Sequence, residues 1–152
     1  MINVFSCRYG AQEAVDILLK RGAKPNVTST SSGCTALHVA TQFGHKKIIE
    51  RLLSTKNLDI DATDQQGMTA LHIAISRGYE DVCRYLINNG ASINISTKQG
   101  RTCLHLAANA GSTDIVDLVI QSGGYGRFTK NKLIYLFLSK NQIILTELIG
   151  LY

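Results

Sequence analysis

The chain has 152 residues, of which 45% are hydrophobic, and a mean hydropathy of +0.05, which suits one domain with an apolar core and excludes a disordered segment. Its net charge of +5 is concentrated towards the end: twelve Lys and Arg stand against ten Asp and Glu up to residue 126, and four against one from residue 127 onward. The earlier part mixes both signs as an ordinary solvated surface does, so we do not expect nucleic-acid binding.

The first element is a truncated helix pair, Cys7–Asn26, which aligns with the later stretch Ile75–Asn94. Its second helix is predicted from aliphatic residues at i, i+3 and i+4 spacing: Val15, Leu18 and Leu19. The residues before it, MINVFSC, contain no basic region leading into a long apolar run, so no signal peptide is expected.

Three fuller units follow, and each contains the same phrase. It reads GCTALHVATQFGH at residues 33–45, GMTALHIAISRGY at 67–79 and GRTCLHLAANAGS at 100–112. Thr35, Thr69 and Thr102 each precede an apolar run, which predicts a helix with a hydroxyl N-cap. A glycine then ends this first helix, and a second helix follows with the same aliphatic spacing as in the truncated unit.

Each unit is therefore predicted to be a helix pair whose apolar faces only the neighbouring units can bury. Ala40, Ala74 and Ala107 recur in the first helices, where small side chains let neighbouring helices approach closely. We expect an array over residues 1–126, in units of about 1–29, 30–63, 64–96 and 97–126.

These units resemble ankyrin repeats. The T-P-L-H-x-A motif of that family appears as TALHVA, TALHIA and TCLHLA, and its closing G-A-D-x-N appears as GAKPN and GASIN. The resemblance implies an all-α solenoid of stacked helix-turn-helix units with short β-hairpin fingertips. It also implies a module that binds a protein partner in a concave groove, as an adaptor or scaffold, with no chemistry common to the family.

Mapped onto this sequence, the resemblance assigns partner binding to the fingertips and to one face of the first helices, here called the groove surface. Its members are Ser31, Ser32, Cys34, Gln65, Gln66, Met68, Lys98, Gln99 and Arg101 at the fingertips, and Arg8, Tyr9, Gln42, Phe43, Ser76, Arg77 and Asn109 on the helices. Tyr9, Phe43 and Met68 are the candidate anchors, because large side chains usually dominate binding energy. The alternative is that Phe43 and Tyr9 only pack across neighbouring units.

No catalytic, metal or cofactor site is expected. His38, His72 and His105 recur at one position, but neighbouring units lie on the order of 10 Å apart, too far for two rings to share an ion. The family resemblance implies a structural hydrogen bond near the fingertip instead. Cys34 is predicted to be an exposed thiol without an activating base. Four cysteines with no zinc or disulfide spacing favour an intracellular, cytoplasmic protein, with the nucleus as the alternative.

Residues 127–152 depart from the repeat. They could form a degenerate capping unit or a non-ankyrin tail, whereas a membrane span is disfavoured because the apolar run breaks at Ser139–Gln142. An exposed tail this apolar would favour self-association. An alternative function follows from these ends: the chain could be a truncated regulatory isoform, or a fragment of a larger ankyrin protein, that competes for its partners.

Overall fold

The structure, a computed structural model, describes residues 4–124, with side chains from Ser6 onward. This part contains eight helices and no strand. The helices form four consecutive pairs: α1 (Val4–Arg8) with α2 (Gln12–Lys20), α3 (Ala36–Gln42) with α4 (Lys46–Leu53), α5 (Ala70–Arg77) with α6 (Glu80–Asn88), and α7 (Cys103–Ala110) with α8 (Thr113–Gln121). The predictions for residues 127–152, cap or tail, lie outside the described residues.

The first helix of each full pair begins at the predicted threonine. At α5, the backbone of Thr69 is extended, and its Oγ1 accepts a hydrogen bond from the backbone N–H of His72 at 3.3 Å. In return, Nδ1 of His72 accepts from the backbone N–H of Thr69 at 3.1 Å. This reciprocal capping box satisfies two N–H groups that a helix end leaves without a partner, so the sequence itself determines where the helix starts.

The pairs pack into one continuous core. The first helices pack in order, α1 against α3, α3 against α5 and α5 against α7, while α2 packs against α4 and α6 against α8. The alanines predicted at the close approach, Ala40, Ala74 and Ala107, are completely buried. Cys83 and Cys103 are also fully buried, in positions where the repeat holds small apolar side chains. Mutual burial between neighbouring pairs is the stabilising principle that the repeat predicts.

The β-hairpin predicted at each fingertip is not confirmed. Each of these tips is a turn closed by two backbone hydrogen bonds. In one, Asp64 N donates to the Met68 carbonyl at 2.9 Å and Gly67 N to the Asp64 carbonyl at 3.0 Å; in the next, Thr97 N donates to the Arg101 carbonyl at 2.9 Å and Gly100 N to the Thr97 carbonyl at 2.8 Å. A hairpin ladder needs successive pairs of bonds between two strands, and the described residues on either side of these turns form no strand. The tips are therefore turns within the described part of the chain.

Neighbouring tips are in direct contact through the backbone. Gln65 N donates to the Ser32 carbonyl at 3.1 Å, and Lys98 N donates to the Gln66 carbonyl at 2.9 Å. Gly67 allows this approach: its φ is +76°, and a Cβ atom there would lie 2.8 Å from Lys98 N. A glycine is thus required for two reasons: its backbone is left-handed, and the neighbouring tip leaves no room for a side chain.

A second set of contacts joins the loops that follow the second helices. Asn26 donates from Nδ2 to the Asn57 carbonyl at 2.7 Å, and its Oδ1 accepts from Asp59 N at 2.9 Å. One unit further on, Oδ1 of Asp61 accepts from Ser92 N at 2.9 Å. Hydrogen bonds therefore join neighbouring units at their loops as well as at their tips.

Candidate functional site

The groove surface predicted from the sequence is largely accessible. Its exposed members are Arg8, Tyr9, Ser31, Gln42, Phe43, Gln65, Gln66, Ser76, Arg77, Lys98, Gln99, Arg101 and Asn109, whereas Ser32, Cys34 and Met68 are half-buried. Met68, expected to be an anchor, packs partly against the core. Its side chain therefore offers less free surface than Tyr9, which is 75% exposed.

These residues form two groups at opposite ends of the first helices. Tip residues cluster before each helix, where the backbone bonds from Gln65 to Ser32 and from Lys98 to Gln66 bring three tips together. The helix residues lie at or near the far ends, and because α5 has eight residues, the two groups are separated by about 12 Å. A partner that contacts both groups must span the length of a first helix.

Phe43 is the centre of the group at the far ends. The Arg8 guanidinium of the preceding pair lies 5.4 Å from the Phe43 ring centroid, and the Phe43 ring stacks on His45 with centroids 6.3 Å apart. Phe43 nevertheless remains 44% exposed. It packs across units, as the alternative interpretation held, and part of the residue still remains exposed to solvent.

An open pocket of about 450 Å³ lies beside Phe43. Its far wall is Tyr79, and Lys46, Glu80 and Asp81 add charged groups around it. Lys46 and Asp81 form an exposed ion pair at 3.5 Å. Two aromatic rings and three charged side chains therefore line one open depression on the surface.

Tyr79 was not predicted as part of a site. The signal was available, because Tyr79 is an aromatic residue directly after a helix-ending glycine and occupies the repeat position of His45. In the structure it closes over Gly44, where a Cβ atom would lie 3.4 Å from its ring. Tyr79 immediately precedes α6, so the start of a second helix places this ring against the preceding unit.

His45, at the same repeat position, also has a specific role that the sequence analysis missed. Its Nε2 donates to the Arg8 carbonyl at 2.9 Å and so satisfies an acceptor at the end of α1. A Cβ atom at Gly10 would lie 2.8 Å from the His45 ring, so the imidazole fits closely over the preceding helix end. His45 is thus a contact between units.

The repeated histidines are structural. Nδ1 of His38 accepts from Thr35 N at 3.2 Å, which places the ring proton on Nε2, and Nε2 donates to the Met68 carbonyl at 2.9 Å. His72 is held in the same way, with the Ile95 carbonyl as its acceptor at 3.0 Å. Burial lowers the pKa of His72, against smaller opposing effects of the Ile95 hydrogen bond and of Asp64 and Asp61. Both nitrogens of these two rings are thereby occupied.

The cysteines separate into three buried thiols and one, Cys34, that is half-buried, whereas the sequence predicted it to be exposed. Burial raises the pKa of Cys7 to about 11 and, as the largest effect, those of Cys83 and Cys103 to about 12, so these three remain protonated near neutral pH. Cys34 is half-buried at a fingertip. Within residues 4–124 no group of three His, Cys, Asp or Glu side chains is placed to hold a metal ion.

Three helix pairs begin with the same capping box, and hydrogen bonds at the tips, loops and histidines join neighbouring pairs. This arrangement defines a helical-repeat protein. A family model for ankyrin repeats, in three copies, matches residues 4–97 and 56–128. The chain belongs to the ankyrin repeat family. Ankyrin repeats are generally protein–protein interaction modules, and the family is generally non-catalytic. Among the helices that the structure describes, none has the length and apolarity to cross a membrane.

Proposed function

We propose that this chain is an intracellular adaptor or scaffold module that binds a protein partner through the groove surface. The observation that carries the proposal is the exposure of two aromatic side chains on that surface. Within the described part, the large hydrophobic residues left most exposed are Tyr9, Phe43 and Ile17, and the first two belong to the groove surface. Exposed aromatics on a rigid support are the side chains that most often dominate binding energy.

Rigid presentation supplies the mechanism. Phe43 is held by Arg8 and His45, and the tips are joined to one another by backbone hydrogen bonds. A surface that is already ordered loses little conformational entropy when a partner docks, so modest contacts give useful affinity. On this proposal the array occupies residues 1–126, and the groove surface needs no cofactor and performs no catalysis. We place the protein inside the cell because its described cysteines are free thiols.

The test is affinity capture with a groove variant and a matched control. The groove variant is Phe43→Ala/Arg77→Ala/Arg101→Ala, which removes one exposed ring and two exposed cations. The control is Ile17→Ala/Lys20→Ala/Lys47→Ala, which removes one exposed aliphatic side chain and two exposed cations from second helices. We expect the groove variant to lose bound proteins that the control retains. Retention of every captured protein by the groove variant would refute the assignment.

A further inference from the structure

Charge is sorted between the two kinds of helix. Seven of the ten carboxylates in the described residues lie in second helices, at Glu13, Asp16, Glu50, Glu80, Asp81, Asp114 and Asp117, and the other three lie in loops, at Asp59, Asp61 and Asp64. The four first helices contain no carboxylate, although two of them carry arginine, at Arg8 and Arg77. The groove surface adds Lys98 and Arg101 from the last described tip.

Among the described residues, three cations outside the groove surface form ion pairs and none on it does, although other outlying cations such as Lys20, Lys47 and Lys56 are unpaired as well. All three ion pairs among the described residues use second-helix carboxylates: Arg51 with Asp16, Arg84 with Glu80 and Lys46 with Asp81. Arg77, Lys98 and Arg101 are exposed and form no ion pair with a described residue, while Arg8 lies over the Phe43 ring. These four side chains are here called the groove cations.

One carboxylate does lie near the tips, but it is already engaged. Oδ1 of Asp64 accepts from the backbone N–H groups of Gln66 at 2.8 Å and of Met68 at 2.9 Å, so it holds its own turn. The tips therefore present positive charge and neutral polar groups. At the far ends, two carboxylates border the pocket, and each is paired with a cation: Glu80 with Arg84 and Asp81 with Lys46.

We propose that the groove cations select an acidic segment of a partner protein, rich in aspartate and glutamate, and that an apolar side chain of that segment enters the pocket between Phe43 and Tyr79. This inference rests on the proposed function and specifies the chemistry of its partner. Cations without internal partners lose no existing ion pair on binding, and complementary charge gives specificity and fast association.

A protein segment fits this surface better than a nucleic acid does. The groove cations are separated by uncharged residues such as Gln42, Gln66 and Gln99, whose amides can bond a peptide backbone. Of the seven second-helix carboxylates, Glu80 and Asp81 border the pocket and are ion-paired, and the other five lie outside its lining. These five would repel a long polyanion that extends beyond the groove more than a short acidic segment that stays within it.

The experiment uses the full chain and three labelled probes in fluorescence anisotropy. The probes are a peptide of repeated Glu-Glu-Leu-Ser, the same peptide with Lys at each Glu, and a single-stranded oligonucleotide of the same net charge as the acidic peptide. We expect the acidic peptide to bind, and its affinity to fall as the NaCl concentration rises from about 50 to 200 mM. The lysine peptide should not bind.

Two charge-matched variants locate the interaction. Arg77→Gln/Lys98→Gln/Arg101→Gln should weaken binding of the acidic peptide about tenfold, as the loss of three exposed ion pairs implies. Lys20→Gln/Lys47→Gln/Lys56→Gln removes the same charge from exposed positions outside the groove surface and should change binding less than about twofold. The cations of residues 127–152 are unchanged in both, and circular dichroism checks that both variants fold.

Several results would overturn the inference. Equal weakening in both variants would show attraction by net charge alone. Tighter binding of the oligonucleotide, lost in the groove variant, would identify a nucleic-acid surface instead. If the acidic peptide does not bind but the Phe43→Ala/Arg77→Ala/Arg101→Ala variant still loses captured proteins, the proposed function stands and the acidic partner is wrong.

Discussion

Gly67→Ala tests how much the contact between fingertips contributes to stability. The left-handed backbone at φ +76° costs an alanine about 1–2 kcal/mol. The new Cβ would also lie 2.8 Å from Lys98 N, and relieving that contact costs roughly 1–3 kcal/mol because the neighbouring atom belongs to backbone. We expect the free energy of unfolding to fall by about 2–4 kcal/mol in total, since the two costs overlap when the tip shifts.

Gly78→Ala is the matched control, because φ there is +73° and no atom lies within 4 Å of the new Cβ. It should lose only the backbone contribution, about 1–2 kcal/mol. Urea unfolding followed by far-UV circular dichroism gives both values. Equal destabilisation of the two variants would show that the tips do not contribute through their close approach and would refute the reasoning.

Three further predictions concern a histidine, a thiol and an aromatic ring. Because burial lowers the pKa of His72, the unfolded chain binds more protons than the folded one around and below the ordinary pKa of 6.5. Stability should be complete well above pH 6.5 and should fall as the pH drops, so the urea midpoint should be lower at about pH 5.5 than at about pH 7.5. In the folded protein, a thiol reagent should modify Cys34 rapidly and spare the three buried cysteines until urea is added. Phe43→Ala should cost only about 1 kcal/mol of stability while weakening partner capture, because the ring is 44% exposed.

Each of these has a control. His72→Gln should reduce the fall of the urea midpoint on acidification, and a midpoint that rises at low pH would contradict the sign. Cys34→Ser should abolish the fast labelling, and a second fast thiol in the folded protein would disprove the burial assignment. For Phe43→Ala, a fall of several kcal/mol in the free energy of unfolding would mean that the ring belongs to the core. Unchanged capture of partner proteins would mean that Phe43 is not a binding anchor.

The sequence predicted the features that depend on local chemistry. Thr69 before an apolar run defines a helix start, and Gly78 defines its end at φ +73°, because each acts within one turn of its own helix. The period of the repeat then predicted the burial of Ala74 between neighbouring first helices.

The missed features depend on contacts between units. The role of His45 is visible only once α4 is placed beside α1, because its acceptor is the carbonyl of Arg8. The sorting of charge was hidden because charges were summed along the chain rather than by helix type, so Asp81 and Arg77 cancelled although they lie on different helices. The hairpin expected at the tips came from the family resemblance, and the short turn from Asp64 to Met68 did not reproduce it.

The histidine hydrogen bonds connect each helix pair to the segment that follows it. His38 reaches forward to the Met68 carbonyl, and His72 reaches forward to the Ile95 carbonyl, so each ring finds its acceptor in the stretch that follows its own helix pair. Loss of order in one unit therefore reaches the next in either direction. Disordering the segment around Ile95 leaves the buried His72 ring without its acceptor, and unfolding α5 leaves the Ile95 carbonyl without its donor.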